Sequence, residues 1–221
     1  MKFKTEKLIY KKPPIKEIIK KSHNFYNLIN KRRSVREFSK EKIDIEIINN
    51  AIMSAGTAPN GANLQPWYFV IITNDKIKKK IREAAEIEEF EFYNSKAPEI
   101  WLKALEPLGT NSNKKFLENA PVLIAIFEKK YSIKNNKKIK NYYIKESVGI
   151  ATGILISCLH SSGLCMLTHT PNPMNFLNKI LKRPTNEKAF LLLVVGYPSK
   201  NCKIPTYAKK KKKLNEICST F

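Results

Sequence analysis

Unbroken apolar runs, rich in β-branched and aromatic residues, most constrain how this chain can fold. Residues 67–73 read WYFVIIT and residues 122–127 read VLIAIF. Two further runs of similar character lie at residues 164–168 and 190–195. Runs of this length without polar alternation are typical of strands buried inside a sheet. We therefore expect these four segments to form a buried central sheet.

Helical patterns separate the predicted strands. After Asp44, which suits an N-cap, apolar residues recur at helical spacing as far as Gly56. Three further segments predict helices: residues 75–89, 142–162 and 174–181. The second of these is rich in small residues, which indicates a helix packed closely on all sides, and Gly163 suits its end. On pattern alone, strands that alternate with helices suggest a parallel α/β sheet.

Three segments lack a clear pattern. Residues 1–24 have poor periodicity and predict an extended basic arm, which is either disordered or wrapped around a partner subunit. Residues 94–113 contain two prolines and a glycine and predict a mobile flap, within a lid of about residues 87–115. Residues 129–141 are expected to form a basic loop. We therefore divide the chain into the arm and one domain, residues 25–221.

The chain is strongly basic, with 41 Lys and Arg against 19 Asp and Glu and a net charge of +22. Such a field attracts nucleic acid, an acidic membrane surface or an anionic ligand. The charge is mostly lysine and is spread along the whole chain. No cluster has the glycine and aromatic pattern of a single-strand binder or a recognition helix. We expect an anion-attracting site and no nucleic-acid partner, and a basic binding module is the non-enzymatic alternative.

The cysteines and the apolar runs bear on the cellular compartment of the protein. The four cysteines form no C-x-x-C pair, which favours free thiols in a reducing cytosol. The longest run of apolar and small residues, near 149–159, is too short to span a bilayer, and residues 1–31 contain no signal-peptide core. We expect a soluble, cytoplasmic protein without membrane attachment. No metal is expected, because the Cys and His spacing between Cys158 and His169 fits no closed zinc pattern.

Three residues between these elements could clamp a free amino acid. Glu89 and Tyr93 are four residues apart and therefore share one face of a helix. Lys114 follows in a short polar stretch. An anion, a hydroxyl and a cation that converge could hold the ammonium and carboxylate of a zwitterion. The alternative is that Glu89 and Tyr93 are ordinary surface positions and that Lys114 is one lysine among many.

Three stretches could contact a ligand, although the second could equally be a tight connector and the third a turn closed by its own hydroxyl. Residues 32–36 (RRSVR) offer three guanidinium groups and a hydroxyl, which suit a phosphate monoester or form a solvated basic turn. Residues 57–67 (TAPNGANLQPW) form a loop whose small residues let backbone N–H groups approach a ligand. Residues 167–171 (LTHTP) end a strand in polar side chains, a favoured ligand position.

Taken in order, these stretches make the chain similar to the nitroreductase superfamily, and within it to the iodotyrosine deiodinase branch. The similarity runs from about Phe25 to Pro198 and includes RRSVREFS, AGTAPNGANLQPW, YYIKESVGIATG and GLCMLTHTPNPMNFLNKIL. The trio of Glu89, Tyr93 and Lys114 is the feature that points to the iodotyrosine deiodinase branch. The resemblance implies an α+β, nitroreductase-like fold with a mixed, largely antiparallel sheet flanked by helices. It also implies a domain-swapped homodimer with FMN at its interface, and it overrules the parallel sheet.

The resemblance implies which residues hold FMN. The phosphate and the pyrimidine edge would contact Arg32, Arg33, Ser34 and Arg36. The flavin ring would contact Asn60, Gly61, Thr168, His169 and Thr170, the first two from the partner chain. Near the C-terminus the family usually has a phosphate-binding arginine, for which Lys209 and Lys211 are equally alignable here. Asn60 stands where the family often has serine, and His169 where some members have threonine.

The resemblance also implies the reaction: reductive dehalogenation of a halotyrosine by stepwise electron transfer from reduced FMN. Glu89 would bind the substrate ammonium, Tyr93 and Lys114 its carboxylate, and the backbone of Ala62 its phenolate. Thr170, the predicted catalytic residue, would place its hydroxyl near flavin N5. The electron donor is NAD(P)H or a partner reductase. The alternative is a general NAD(P)H-dependent nitroreductase or flavin or quinone reductase, which shares the FMN site and needs no clamp.

Overall fold

A computed structural model describes residues 3–221 of the chain. The chain forms two compact units, of which the first ends at Arg32 and the second begins at Arg33. The described residues contain seven α-helices: α1 (Ile15–Asn30), α2 (Ile45–Gly56), α3 (Asp75–Glu91), α4 (Glu99–Leu105), α5 (Phe116–Asn119), α6 (Ile144–Ser161) and α7 (Asn175–Ile180). They contain six strands: β1 (Trp67–Ile72), β2 (Val122–Lys129), β3 (Tyr131–Lys134), β4 (Lys137–Lys140), β5 (Cys165–His169) and β6 (Glu187–Gly196).

The first unit consists of an irregular segment followed by α1. The extended arm predicted for residues 1–24 is therefore wrong from Ile15 onward, and residues 1 and 2 of that arm lie outside the described residues. Pro14 supplies the N-cap, Glu17 lies in the first turn, and Glu17 pairs with Lys21 at 2.6 Å one turn later. The many lysines on this helix hide an apolar periodicity that the sequence does contain.

The second unit is built on a four-stranded sheet with the strand order β1–β2–β6–β5. All three strand pairs are antiparallel, so the expectation of a parallel sheet from pattern alone is wrong and the antiparallel sheet is confirmed. A single parallel bridge joins Ser34 to Met166 on the outer side of β5. The sheet is thus mixed, because the chain before α2 lies along the free edge of β5.

The two central strands are buried on both faces, as their apolar runs predict. Alternate residues of β2 point to opposite sides, so Leu123 and Phe127 contact one cluster and Ile124 and Ile126 the other. The first cluster includes residues of α3 and α7, and the second includes residues of α2 and α6. Helices therefore cover both faces of the sheet, and the candidate active site lies at the β5 edge.

The predicted helix boundaries agree closely with the structure. Asp44 caps α2 by accepting a hydrogen bond from the backbone N–H of Glu46 at 2.9 Å, and α2 ends at Gly56. Gly163 follows α6 with φ +85°, a left-handed conformation that favours glycine at a helix end. The expectation that α6 is packed on all sides is wrong for this chain alone, because Gly149, Ile150 and Gly153 are exposed.

Two segments that were expected to be irregular contain regular structure. Residues 129–141 include a β-hairpin of β3 and β4, with Asn135 and Asn136 in left-handed conformations at its turn. Lysine fills four of the eight exposed hairpin positions, so the sequence of the two strands looks like a basic loop. Residues 94–113 contain the end of a π-turn (Phe92–Lys96), α4 and a 3₁₀ turn (Glu106–Leu108). The mobility of this segment stays a prediction.

Helices of the described residues are each too short or too polar to cross a bilayer. Residues 3–221 also contain no group of three or more His, Cys, Asp or Glu side chains arranged to bind a metal ion.

Candidate active site

A cavity of about 390 Å³ lies between the C-terminal end of α3, the segment that follows it and the end of β5. Seven of the residues predicted for the site line this cavity: Arg36, Glu89, Tyr93, Lys114, Thr168, His169 and Thr170. Aromatic and aliphatic side chains supply the apolar part of the wall: Phe92, Trp101, Leu105, Phe116 and Leu167. A cavity with an apolar wall and a few converging polar groups is the usual form of a small-molecule site.

Glu89 and Lys114 meet at the cavity as the trio predicts. The Nζ atom of Lys114 lies 2.9 Å from Oε2 of Glu89, and the two side chains are only 7% and 13% exposed. The same Nζ donates a hydrogen bond to the backbone oxygen of Asn111 at 2.6 Å. The structure therefore holds a nearly buried ion pair in the wall of the cavity.

Tyr93 completes the trio as a hydrogen-bond donor. Its hydroxyl donates to Oγ1 of Thr110 at 2.7 Å, and the Nζ atom of Lys114 lies 5.6 Å from its ring centroid. Burial raises the pKa of the Tyr93 phenol, the hydrogen bond with Thr110 opposes this rise, and the charge of Glu89 adds to it. The phenol therefore stays protonated at neutral pH and can donate to an anion.

Arg36 reaches the cavity because its segment lies along β5. Ser34 bridges Met166, and the backbone N–H of Val35 donates to the oxygen of Met166 at 3.2 Å, which fixes Arg36 near the end of the strand. Burial lowers the pKa of the Arg36 guanidinium, and the nearby Tyr93 opposes this shift. Arginine keeps its charge in proteins, so Arg36 places a fixed cation in the cavity wall.

His169 is a buried, neutral imidazole at the end of β5. Its side chain packs edge-on against Phe116 with the ring centroids 5.6 Å apart. Burial lowers the pKa of His169 to about 3, and the charges of Lys114 and Arg36 contribute to this shift. Within residues 3–221 its Nε2 atom has no hydrogen-bond partner. An unsatisfied buried nitrogen that lines a cavity is suited to a ligand that supplies the missing partner.

The loop of residues 57–66 does not line this cavity, although Asn60, Gly61 and Ala62 were predicted for the site. The loop is nevertheless built unusually, since Ala62, Asn63 and Gln65 all have positive φ values near 50°. Such conformations cost a non-glycine residue about 1 kcal/mol or more and cluster at functional sites. Asn60 holds the loop by accepting a hydrogen bond from the Gln65 backbone N–H at 2.8 Å.

Four other predicted phosphate ligands, Arg33, Ser34, Lys209 and Lys211, do not line the cavity. Arg32, the fifth predicted ligand, is the last residue of the first unit. Arg33 and Ser34 precede the residues that reach the cavity, and neither lines it. Lys209 ends a 3₁₀ turn, and Lys211 donates from Nζ to the backbone oxygen of Ala208 at 2.9 Å. Their predicted contacts with a phosphate therefore stay predictions.

Two polar contacts that hold the trio in place were not predicted from the sequence. Thr110 accepts the Tyr93 hydroxyl, and Glu86 accepts the backbone N–H of Lys114 at 2.7 Å. Glu86 lies three residues before Glu89, so the i, i+3 spacing on α3 is a signal that could have identified it. Thr110 carries no comparable signal, because its contact depends on how the chain folds back after α4.

Comparison with known proteins identifies the family. The profile of the nitroreductase family matches residues 29–197, and the chain therefore belongs to the nitroreductase family. Iodotyrosine deiodinase of Haliscomenobacter hydrossis is 51% identical over 197 residues, which are 89% of each chain. Iodotyrosine deiodinase 1 of Homo sapiens is 44% identical over 209 residues, which are 94% of this chain and 72% of the human protein.

A solved structure agrees with the sequence relatives. The crystal structure of oxidized iodotyrosine deiodinase bound to FMN and 3-iodo-L-tyrosine matches this fold with a TM-score of 0.74 and 31% sequence identity. The match covers 89% of this chain and 98% of the other. The predicted family and fold are confirmed.

Proposed function

We propose that this protein is an FMN-dependent enzyme that reductively dehalogenates halotyrosines, such as iodotyrosine, to tyrosine and halide. The observation that carries this proposal is the buried pair of Glu89 and Lys114 beside the Tyr93 hydroxyl. A cavity for nitroaromatics or quinones has no need of opposite charges in this arrangement. The relatives that are 51% and 44% identical bear the name iodotyrosine deiodinase, and a structure of that name contains FMN and iodotyrosine.

The residues of the cavity fit a flavin mononucleotide. The neutral Nε2 of His169 lacks a partner among the described residues, and a flavin ring carries polar atoms that can supply one. Arg36 offers a fixed positive charge to an anionic cofactor. Thr168, His169 and Thr170 would contact the ring, and Arg32, Arg33, Ser34 and one of Lys209 and Lys211 would contact the phosphate. When bound, FMN supplies the two electrons of the reaction.

The clamp acts on the amino-acid end of the substrate. Glu89 accepts hydrogen bonds from the ammonium, while Lys114 and Tyr93 donate to the carboxylate. Entry of the zwitterion replaces the one ion pair of Glu89 and Lys114 with two, so no charge is left buried and unpaired. Each charge-assisted hydrogen bond contributes about 1.5–3 kcal/mol. The protein thereby orients the phenol ring and excludes water, and Thr170 offers its hydroxyl to the cofactor.

The site is completed by a second copy of the chain. The exposed face of α6 at Gly149, Ile150 and Gly153 lets another helix approach closely, and Met53 is 71% exposed on α2, which shares a core cluster with α6. Asn60 and Gly61 of the partner subunit would contact the flavin, and the backbone of Ala62 of the partner subunit would contact the substrate phenolate. Phe3, Leu8 and Ile9 are almost fully exposed, which supports an exchanged N-terminal arm in the homodimer.

The electron donor is NAD(P)H or a partner reductase. A second candidate function, a general NAD(P)H-dependent nitroreductase or quinone reductase, is favoured by the family match alone. The two functions differ in their need for the clamp. The distinguishing experiment titrates the oxidised flavoprotein with 3-iodotyrosine and follows flavin fluorescence. The proposal predicts saturable quenching, and an unresponsive flavin in an enzyme that reduces nitroaromatics would establish the second candidate instead.

A further inference from the structure

One face of α3 and of the π-turn that follows it contacts the segment of residues 110–120. The side chains that form this seam are spaced three or four residues apart: Lys78, Arg82, Glu86, Glu89 and Tyr93. Their partners follow in reverse order along the chain, from Ala120 back to Thr110. Together, α3 and this segment therefore form two antiparallel sides of one polar seam that ends at the cavity.

At the end of the seam far from the cavity, Lys78 and Arg82 form an anchor that holds α5 against α3. Lys78 is 4% exposed, and its Nζ donates to the backbone oxygens of Glu118 at 3.1 Å and Ala120 at 2.9 Å. Arg82 donates from Nε to Oε1 of Glu118 at 2.6 Å. These contacts fasten the residues of α5 and its end to α3, and none of the groups faces the substrate clamp.

Glu86 links this anchor to the clamp. Its Oε1 accepts the backbone N–H of Lys114 at 2.7 Å, while its Oε2 pairs with Nη1 of Arg82. Both carboxylate oxygens are therefore engaged, one by the anchor and one by the backbone of the clamp residue. The Glu86 side chain is 25% exposed and the Arg82 side chain 20%, so both side chains are mostly buried and their rotation is restricted.

At the cavity end of the seam, the contacts are made by the groups that would bind the substrate. Nζ of Lys114 pairs with Glu89, and the hydroxyl of Tyr93 donates to Thr110. Under the proposed function both contacts open when a zwitterion enters. The Glu86 contact then becomes the direct bond that still joins α3 to Lys114, because it uses the lysine backbone and leaves Nζ available.

We infer that Glu86, held by Arg82, is a positioning residue that presents Lys114 to the carboxylate of an amino-acid substrate. This inference rests on the proposed function. A lysine side chain has four rotatable bonds, and ordering it costs free energy unless its backbone is already fixed. Fixing the backbone before the substrate arrives reduces that cost. Glu86 therefore contributes to recognition of the zwitterion and makes no contribution to binding of the halophenol ring.

The test compares two ligands on the flavin-loaded protein by fluorescence titration. One is 3-iodotyrosine, and the other is 2-iodophenol, which has neither ammonium nor carboxylate. Glu86→Ala is expected to weaken 3-iodotyrosine binding about tenfold, the cost of one hydrogen bond to a charged group, and to leave 2-iodophenol binding unchanged. Glu86→Gln keeps an oxygen acceptor for the Lys114 N–H and is expected to restore most of the affinity.

A matched control and a second variant keep the test decisive. Glu83→Gln removes a carboxylate that lies 3.6 Å from Arg82 but contacts no residue of the clamp, and it should bind both ligands like the wild type. Arg82→Gln removes the partner of Glu86 together with the contact between Arg82 and Glu118, and it should still reproduce the selective loss, even where Glu86→Ala does not fold. Unchanged 3-iodotyrosine affinity, or equal losses for the two ligands, would overturn the inference. A wild-type protein that does not bind 3-iodotyrosine would overturn the proposed function as well.

Discussion

Lys114 and Glu89 form a 2.9 Å ion pair whose two side chains are almost completely withdrawn from water. Removing one partner of a buried pair costs about 3–5 kcal/mol, because the other charge is left without compensation. A neutral ligand cannot separate this pair without paying that penalty. A ligand that carries both an ammonium and a carboxylate can separate it, since each protein charge receives a new partner. Under the proposed function, the pair therefore makes binding selective for zwitterions.

Replacing Lys114 should weaken substrate binding selectively. Lys114→Met removes the cation that meets the carboxylate, and we expect the affinity for 3-iodotyrosine to fall about ten- to a hundredfold. Flavin fluorescence titration measures the effect. Lys115→Met, at the exposed neighbouring position, is the control and should bind like the wild type. An equal loss in both variants would show that overall charge rather than the clamp governs binding.

Glu89 should account for recognition of the ammonium. The wild type should prefer 3-iodotyrosine over 3-(3-iodo-4-hydroxyphenyl)propionate, which lacks the amine. Glu89→Gln should reduce this preference by about tenfold, because an amide attracts an ammonium far less than a carboxylate does. The measurement is the ratio of the two dissociation constants in each protein. An unchanged ratio would remove Glu89 from the clamp.

His169 should make the flavin-free protein sensitive to mild acid. Its folded-state pKa of about 3 lies below the ordinary value of 6.5, so the unfolded state binds an extra proton between these values. The free energy of unfolding therefore falls as the pH drops below 6.5, by about 2 kcal/mol from this residue at pH 5. Denaturant titrations at pH 8 and pH 5 measure the loss. His169→Thr should lose about 2 kcal/mol less than the wild type, and identical losses would contradict the assignment.

Gly196 should tolerate no side chain. A Cβ atom there would lie 2.8 Å from Cδ of the half-buried Pro121 and 2.9 Å from Cδ1 of the buried Phe38. Gly196→Ala is expected to lower the free energy of unfolding by about 1–3 kcal/mol, the usual cost of overpacking. Gly56→Ala, where a Cβ meets nothing within 4 Å, is the control. Thermal or denaturant unfolding distinguishes the two, and a neutral Gly196→Ala would mean that the interior relaxes.

The sequence predicted the elements of the fold better than their arrangement. The apolar runs located β1, β2, β5 and β6, because strands buried on both faces need continuous apolar residues. Periodicity carries no information on strand direction, and the antiparallel order came only from resemblance to a family. The helix α1 and the hairpin of β3 and β4 were missed, since lysines at exposed positions obscure an amphipathic pattern.

For the site, the sequence predicted the residue types but not their partners in the ligand-free chain. Glu89, Tyr93 and Lys114 were expected to converge as a clamp for a zwitterion, and the structure brings Glu89 and Lys114 into contact. The contact of Tyr93 with Thr110 and that of Glu86 with the Lys114 backbone depend on the return path of the chain after α4. Asn60 and Gly61 do not line the cavity of this chain, and their contact with a flavin bound by a second subunit stays a prediction.

The most direct test is a single-turnover reaction without oxygen. The FMN-loaded protein is reduced chemically, excess reductant is removed, and 3-iodotyrosine is added while flavin absorbance and products are followed. We predict that the flavin is reoxidised and that one equivalent each of tyrosine and iodide forms per flavin. A flavin that stays reduced with 3-iodotyrosine, yet is promptly reoxidised by a nitroaromatic, would contradict the proposed function.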